Sequence, residues 1–325
     1  LSLWRQWTFI HRSAREGRTI VAVGDLLPLL FAWTSGANYL FIGTPKSDYT
    51  WTSGPRFSLS DFYHRLKGTE WDPWEYWLMR SCRCKLVAVR DKITARGLRN
   101  CGVEALSPGN PMMDGLAKTE CPKDFERYRR LILLCGSRLP EAYQNFKNLL
   151  IAIQLIQNSS PLAVFVPLHS ASMSKKIQLI LIELGFKPTY DSIDELGISE
   201  IWEKKSLLIL IGFNQFSSWA NWGEVGVANA GTATEQLVGL GIPCVSLPGK
   251  GPQFNLDFAK RQSRLLGGAV GIAKGYKTLA KRVEFLLNYD FDRLSIGLRG
   301  AKRMGPEGGS HSLAMIISTH LSQGS

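Results

Sequence analysis

Short runs rich in leucine, isoleucine and valine alternate with longer helical stretches along almost the whole chain, and this alternation most constrains what it can become. Apolar runs at 19–24, 39–43, 85–89, 129–134, 162–167, 207–211, 225–228 and 243–247 read as strands. Helical patterns occupy 2–16, 26–34, 91–100, a stretch from Pro140, 174–184, 255–266, 276–288, 293–303 and 310–321. Strands separated by helices are joined by crossovers and therefore pair in parallel. The expected class is α/β. The segment 44–73 has no clear periodicity and is expected to be a long irregular, functional loop.

With 325 residues the chain exceeds a comfortable single core, so two domains are expected. Gly and Pro concentrate between Ser107 and Asp124, which marks the hinge. The expected division is a first domain over 1–120, a second over 121–305, and a terminal helix over 306–325 that packs back toward the first. Composition is ordinary for a globular protein, with 45% hydrophobic and 20% charged residues. The most apolar window, Ile20 to Trp33, is interrupted by Asp25 and is shorter than the roughly 18 residues a membrane span needs. The arginine-dotted start lacks the apolar core of a secretory signal. Six cysteines without CxxC spacing read as reduced structural thiols, and the five histidines show no ligand spacing. These features point to the cytoplasm. Residue 1 falls inside a helical pattern, so the chain is expected to be incomplete at its start.

A net charge of +12 favours an anionic partner. Arg80, Arg83, Lys85, Arg90, Lys92, Arg96 and Arg99 follow the aromatic run Trp71, Trp74, Tyr76 and Trp77, a combination suited to an anionic membrane interface. The other reading packs Trp74 and Trp77 together on a helix, with the arginines solvated.

Three strand-to-helix junctions carry chemistry. At the first, Gly136, Ser137 and Arg138 precede Pro140 at the expected first helical position and Glu141, a turn that aims backbone N–H groups and a guanidinium at an anion. The second, Asn229 to Glu235, repeats the design: Thr232 and Glu235 have the spacing of a capping box, while Glu235 could instead accept two hydrogen bonds from ribose hydroxyls. The third is the Gly/Pro-rich loop 247–255, with Lys250 for phosphate and Gln253 for sugar hydroxyls. Asp25, after the first strand, reads either as a general base or as a helix cap. Asp290-Phe291-Asp292 has the form of a metal-binding DxD, but it lies between two helical patterns and a cap explains Asp292, so no metal is expected.

The stretch Asn229 to Asn255, with Gly231, Thr232, Thr234 and Glu235, resembles the donor-sugar signature of GT-B glycosyltransferases. Gly136-Ser137-Arg138-x-x-Glu141 resembles the corresponding loop of lipid-A-disaccharide synthase, and Pro108 to Asp114 is similar to its interdomain segment, with Asn110 where that family has His and Asp114 retained. The likeness is closest to a related family found in cyanobacteria. It implies two Rossmann-like domains facing a cleft, the first lacking its initial strand-helix unit. It further implies metal-independent, inverting transfer of GlcNAc or an acylated derivative from a UDP donor to a lipid-linked or amphipathic acceptor. No cofactor is expected beyond the UDP-sugar substrate, and the expected location is the cytoplasmic face of the membrane, with Trp74, Trp77, Arg80 and Arg83 on the acceptor side. The alternatives are a UDP-GlcNAc 2-epimerase-like isomerase and a non-catalytic basic protein that binds nucleotides or nucleic acid. No RNA-binding or helix-turn-helix pattern supports the last, and no nucleic-acid partner is expected.

Overall fold

The computed structural model describes residues 2–53, 59–117, 119–189, 196–249 and 254–322. The chain divides into two compact units, one formed by 1–114 with 305–325 and the other by 115–304. The boundary at Asp114 lies a few residues before the expected one, and the terminal segment belongs to the first unit.

The first unit runs α1 (Leu3–Arg15), β1 (Ile20–Gly24), α2 (Leu26–Thr34), β2 (Tyr39–Gly43), α3 (Tyr49–Thr52), α4 (Leu59–Lys67), α5 (Pro73–Met79), β3 (Cys84–Val89), α6 (Lys92–Asn100) and β4 (Ala105–Leu106). All four strands are parallel, in the order β1-β2-β3-β4. The central strand β2 is buried at every position, which explains its unbroken apolar sequence Tyr-Leu-Phe-Ile-Gly. The edge strand β1 leaves Val21 and Val23 exposed. Tyr39, Phe41, Trp71, Leu29 and Leu98 are the large fully buried side chains of this core. The expected irregular loop 44–73 is corrected in part, because it contains the short helices α3 and α4. The four residues of α3 are too few for a helical period to emerge, whereas α4 does carry helical spacing in Leu59, Phe62, Tyr63 and Leu66, which the Gly, Pro and Ser around it obscured.

The second unit continues with β5 (Arg129–Leu134), α7 (Glu141–Ile153), β6 (Leu162–Leu168), α8 (Ser174–Glu183), β7 (Lys187–Thr189), β8 (Glu200–Lys204), β9 (Leu207–Phe213), α9 (Phe216–Trp219), β10 (Val225–Ala228), α10 (Thr232–Gly239), β11 (Cys244–Ser246), α11 (Leu256–Leu265), β12 (Val270–Ile272), α12 (Tyr276–Asn288) and α13 (Asp290–Met304). Its eight-stranded sheet has the order β12-β11-β10-β5-β6-β9-β8-β7. Strands from β12 to β9 are parallel, whereas β7 and β8 form an antiparallel edge. Sequence reading missed this edge because β8, Glu-Ile-Trp-Glu-Lys, is short and mostly polar. The inner strands are buried on both faces, and α7, α8 and α12 cover one side through Phe146, Leu149, Ile177, Leu181, Leu279 and Val283.

The final helix α14 (Gly309–Ser322) returns to the first unit, where it packs on β3 and on the 3-10 turn Pro111–Met113. Among the described residues no helix is long and apolar enough to cross a membrane.

Candidate nucleotide-sugar site

Strand order determines where a ligand can enter. The chain leaves β5 through α7 toward β6 on one side, and leaves β10 through α10 toward β11 on the other. The adjacent pair β5 and β10 is therefore a topological switch point. At such a point the loops beyond the carboxyl ends diverge and open a crevice. Both small-residue junctions found in the sequence lie there, at 135–140 after β5 and 229–231 after β10, and the loop after β11 begins beside them.

The loops are in contact. Gly136 adopts φ +87°, and a Cβ there would sit 3.2 Å from the carbonyl oxygen of Asn229, so glycine serves both the turn and the close approach. Two asparagines clamp the strand ends together. Asn145 of α7 donates to the Cys135 carbonyl at 3.1 Å and accepts from Asn229 Nδ2 at 3.2 Å. Asn229 Nδ2 also donates to the Leu247 carbonyl at 2.7 Å, and its Oδ1 accepts from the Leu247 N–H at 3.0 Å. One buried side chain thus joins β10 to the ends of β5 and β11.

This geometry revises several sequence assignments. Asn229 was expected to bind the nucleotide-sugar, but its side chain is 3% exposed and committed to protein partners, so it shapes the loops instead. Thr234 was expected there too, yet it is fully buried and its hydroxyl donates to the Ala230 carbonyl at 2.7 Å. Pro140 occupies the N-cap of α7 rather than its first helical position. The capping box is absent: Gly231 is the N-cap of α10, no side chain caps it, and Thr232 already belongs to the helix. Glu235 is half-buried in the first turn, and Thr232 is exposed. The start of α10 thus presents first-turn N–H groups that no side chain caps, a setting suited to phosphate. Ser137 and Arg138 are exposed beyond β5, and Glu141 is half-buried at the start of α7. Lys250 and Gln253 lie outside the described residues.

Two positioning residues escaped the sequence reading. Besides Asn145, Gln262 of α11 is 3% exposed and donates to the Ala230 and Gly231 carbonyls at 3.1 Å each, holding the turn before α10. A signal existed for both, since each is a polar residue within an apolar helical stripe: Ala142, Asn145, Phe146, Leu149 in one helix and Ala259, Gln262, Leu265 in the other. Cys135 lies next to Gly136, and burial pushes its thiol up to about 12, so it stays protonated and is no nucleophile. All six cysteines are unpaired.

In the first unit, Asp25 follows β1 at the N-cap position of α2, but its side chain makes no capping bond and is exposed. Asn110 caps the turn Pro111–Met113, and Asp114 holds the terminal segment. Asn110 Oδ1 accepts from the Met112 N–H at 3.2 Å, and Asp114 accepts from the Gly308 and Ser310 N–H groups at 2.5 and 2.6 Å. The Ser310 hydroxyl, followed by backbone N–H groups, holds the Asp114 carboxyl below its ordinary range. Trp74 and Trp77 are 54% and 59% exposed, and Arg80 is exposed. Arg83 is half-buried and donates to the Trp33 carbonyl at 2.9 Å, so it belongs less to the surface than expected. Asp290 pairs with Arg293 at 2.6 Å. Among the described residues no three His, Cys, Asp or Glu side chains gather as metal ligands.

No protein-family model matches the sequence, and no curated protein matches it. Solved structures do match, over nearly the whole chain. Staphylococcus aureus MnaA, in a co-structure with UDP, aligns with a TM-score of 0.59 at 11% identity, over 99% of this chain and 80% of that one. The calicheamicin glycosyltransferase CalG4 aligns with a TM-score of 0.57 at 12% identity, over 99% and 81%. The fold is GT-B. The UDP-GlcNAc 2-epimerase of Neisseria meningitidis, solved with UDP-GlcNAc, shares it at a TM-score of 0.53 and 14% identity, over 99% and 82%. Two Rossmann-like domains are thus common to an isomerase and a transferase, and at these identities the likeness establishes architecture alone.

Proposed function

We propose that this GT-B chain is a UDP-sugar-dependent glycosyltransferase whose donor site lies at the carboxyl edge of the eight-stranded sheet. The observation that carries the reading is the meeting of the 135–140 and 229–231 loops at the switch point between β5 and β10, with an uncapped helix start beside them. In this reading the N–H groups of α10 and Arg138 bind the diphosphate. Glu235 accepts from the ribose hydroxyls, while Asn145, Asn229 and Gln262 hold the loops in place. The acceptor is an amphipathic or lipid-linked alcohol. Its hydroxyl oxygen forms the new bond to the anomeric carbon as the bond to UDP breaks. Asp25 receives the hydroxyl proton, and UDP leaves with the electron pair. GlcNAc or an acylated derivative is the proposed sugar.

A 2-epimerase reading is the alternative, favoured by neighbours of the same fold whose structures contain UDP or UDP-GlcNAc. Product analysis separates the two. Release of UDP that requires an alcohol acceptor supports transfer, whereas conversion of UDP-GlcNAc to its 2-epimer without acceptor replaces it.

The donor site is tested by calorimetric titration with UDP and uridine. Replacing the Glu235 carboxylate by an amide removes a charge-assisted contact worth about 1.5 to 3 kcal/mol, so Glu235→Gln is expected to weaken both ligands roughly ten- to a hundredfold. Arg138→Ala is expected to weaken UDP much more than uridine. If Glu235→Gln binds both as tightly as the wild type, the assignment of this loop to the donor is wrong.

A further inference from the structure

Away from these loops, the same sheet holds a cavity of about 400 Å³ against the edge strands β11 and β12. It is lined near the amino ends of these strands, by Pro243, Cys244, Gly268 and Ala269, whereas the donor loops follow the carboxyl ends of β5, β10 and β11. Its volume lies in the range of small-molecule sites, about 300 to 1,000 Å³.

The walls are segregated along helix α12. Thr278, Lys281, Arg282, Phe285 and Leu286 recur at three- and four-residue intervals and share the face that lines the cavity. Thr278 lies in the first turn, and the two cations follow at the middle of the helix. Phe285 and Leu286 come last, joined by Ile296 of α13. From Lys281 to Phe285 the helix rises about 6 Å, roughly one turn, so the charged and apolar walls follow one another along the cavity.

Other features reinforce the asymmetry. The Arg282 guanidinium lies over β12 where residue 271 is glycine; a Cβ there would be 3.0 Å from Nη1. No carboxylate lines the cavity, and neither Lys281 nor Arg282 forms an ion pair among the described residues. Cys244 adds no negative charge, because burial pushes its thiol well above the ordinary range and keeps it protonated. The site has unneutralised positive charge at one end and apolar surface at the other.

We propose that this cavity binds an amphipathic anion, with an oxyanion head held by Lys281, Arg282 and Thr278 and an apolar tail laid against Phe285, Leu286 and Ile296. The guanidinium supplies a fork matched to phosphate or carboxylate, and Lys281 adds a point charge. The inference is independent of the donor assignment, because no residue is shared between the two sites.

The test is calorimetric titration of the full chain with decyl phosphate below its micelle-forming concentration, beside inorganic phosphate and decanol. Saturable one-to-one binding of decyl phosphate is expected, with phosphate and decanol each at least tenfold weaker. A Lys281→Ala/Arg282→Ala double variant is expected to lose at least tenfold in affinity for decyl phosphate. Thr278→Trp, which places an indole at the exposed rim, is expected to weaken the amphiphile by blocking the cavity. Both variants are used only if their thermal unfolding matches the wild type, which these exposed positions permit. Absence of saturable binding to wild type, equal affinity in the double variant, or decanol binding as tightly as decyl phosphate would each overturn the proposal.

Discussion

Asp48 is the residue whose burial has the sharpest energetic consequence. It is 1% exposed, beyond the end of β2, and its Oδ1 accepts from the Thr69 hydroxyl at 3.0 Å and the Glu70 N–H at 2.6 Å. Gly97 makes room for it, since a Cβ there would lie 2.1 Å from Asp48 Oδ2. Desolvation pushes its carboxyl up to about 7, outweighing those hydrogen bonds. Below the unfolded value of 3.8 both states hold the proton; between there and about 7 only the folded state does, so stability falls as pH rises through this window. A shift of this size corresponds to at most about 4 kcal/mol. Asp48→Asn, which cannot ionise, is expected to unfold at higher urea than wild type at pH 7.5 and to lose much of the pH dependence between 5 and 7.5. Parallel pH profiles for the two proteins would remove Asp48 as the source.

At the scale of elements, two glycines permit α13 to lie against α10. A Cβ on Gly297 would sit 1.9 Å from the Gly241 carbonyl oxygen, and one on Gly300 would sit 2.2 Å from a Val238 methyl. Alanine normally gains about 1 kcal/mol over glycine inside a helix. Here the backbone collision outweighs that gain, because Gly241 cannot rotate away as a side chain would. Gly297→Ala is therefore expected to destabilise the second unit by about 1 to 3 kcal/mol, seen as a lower midpoint in denaturant unfolding. A neutral or stabilising effect would mean that the helices separate without cost. The regular elements were legible because their evidence is local: Arg129–Leu134, Val225–Ala228 and Tyr276–Asn288 coincide with the expected strands and helix. Strands β4, β7, β8 and β12 were not, since Ala-Leu, Lys-Pro-Thr, Glu-Ile-Trp-Glu-Lys and Val-Gly-Ile hold no run of more than two apolar residues to stand out from loops.

For the whole molecule, the charge of +12 gains meaning from its neighbours in the first unit. Trp74 and Trp77 project from α5 beside the exposed Arg80, and Trp4 and Phe9 are each 69% exposed on α1, which also carries Arg5, Arg12 and Arg15. Indoles beside arginines match the polar and apolar layers of a membrane surface. Flotation with anionic vesicles at low salt is expected to carry the protein upward, and a Trp74→Ala/Trp77→Ala/Arg80→Ala variant is expected to remain largely at the bottom. Equal flotation of both would assign the charge to another partner.

What the sequence determined by itself was the α/β class and the three loops that carry candidate chemistry. Apolar runs, helical spacing and Gly/Pro punctuation act through near neighbours and can be read without knowing the rest of the chain. Tertiary structure decided strand order, and with it the switch point that brings residues 136 and 229 together. It also decided the roles within those loops. Asn229 and Thr234 sit inside a promising motif yet are buried with their side chains bonded to protein groups, whereas Asn145 and Gln262, just outside the motifs, hold the turns. A polar residue in an apolar stripe hints at burial, but its hydrogen-bond partners depend on contacts across more than eighty residues, as between Asn145 and Asn229, and no local pattern encodes those.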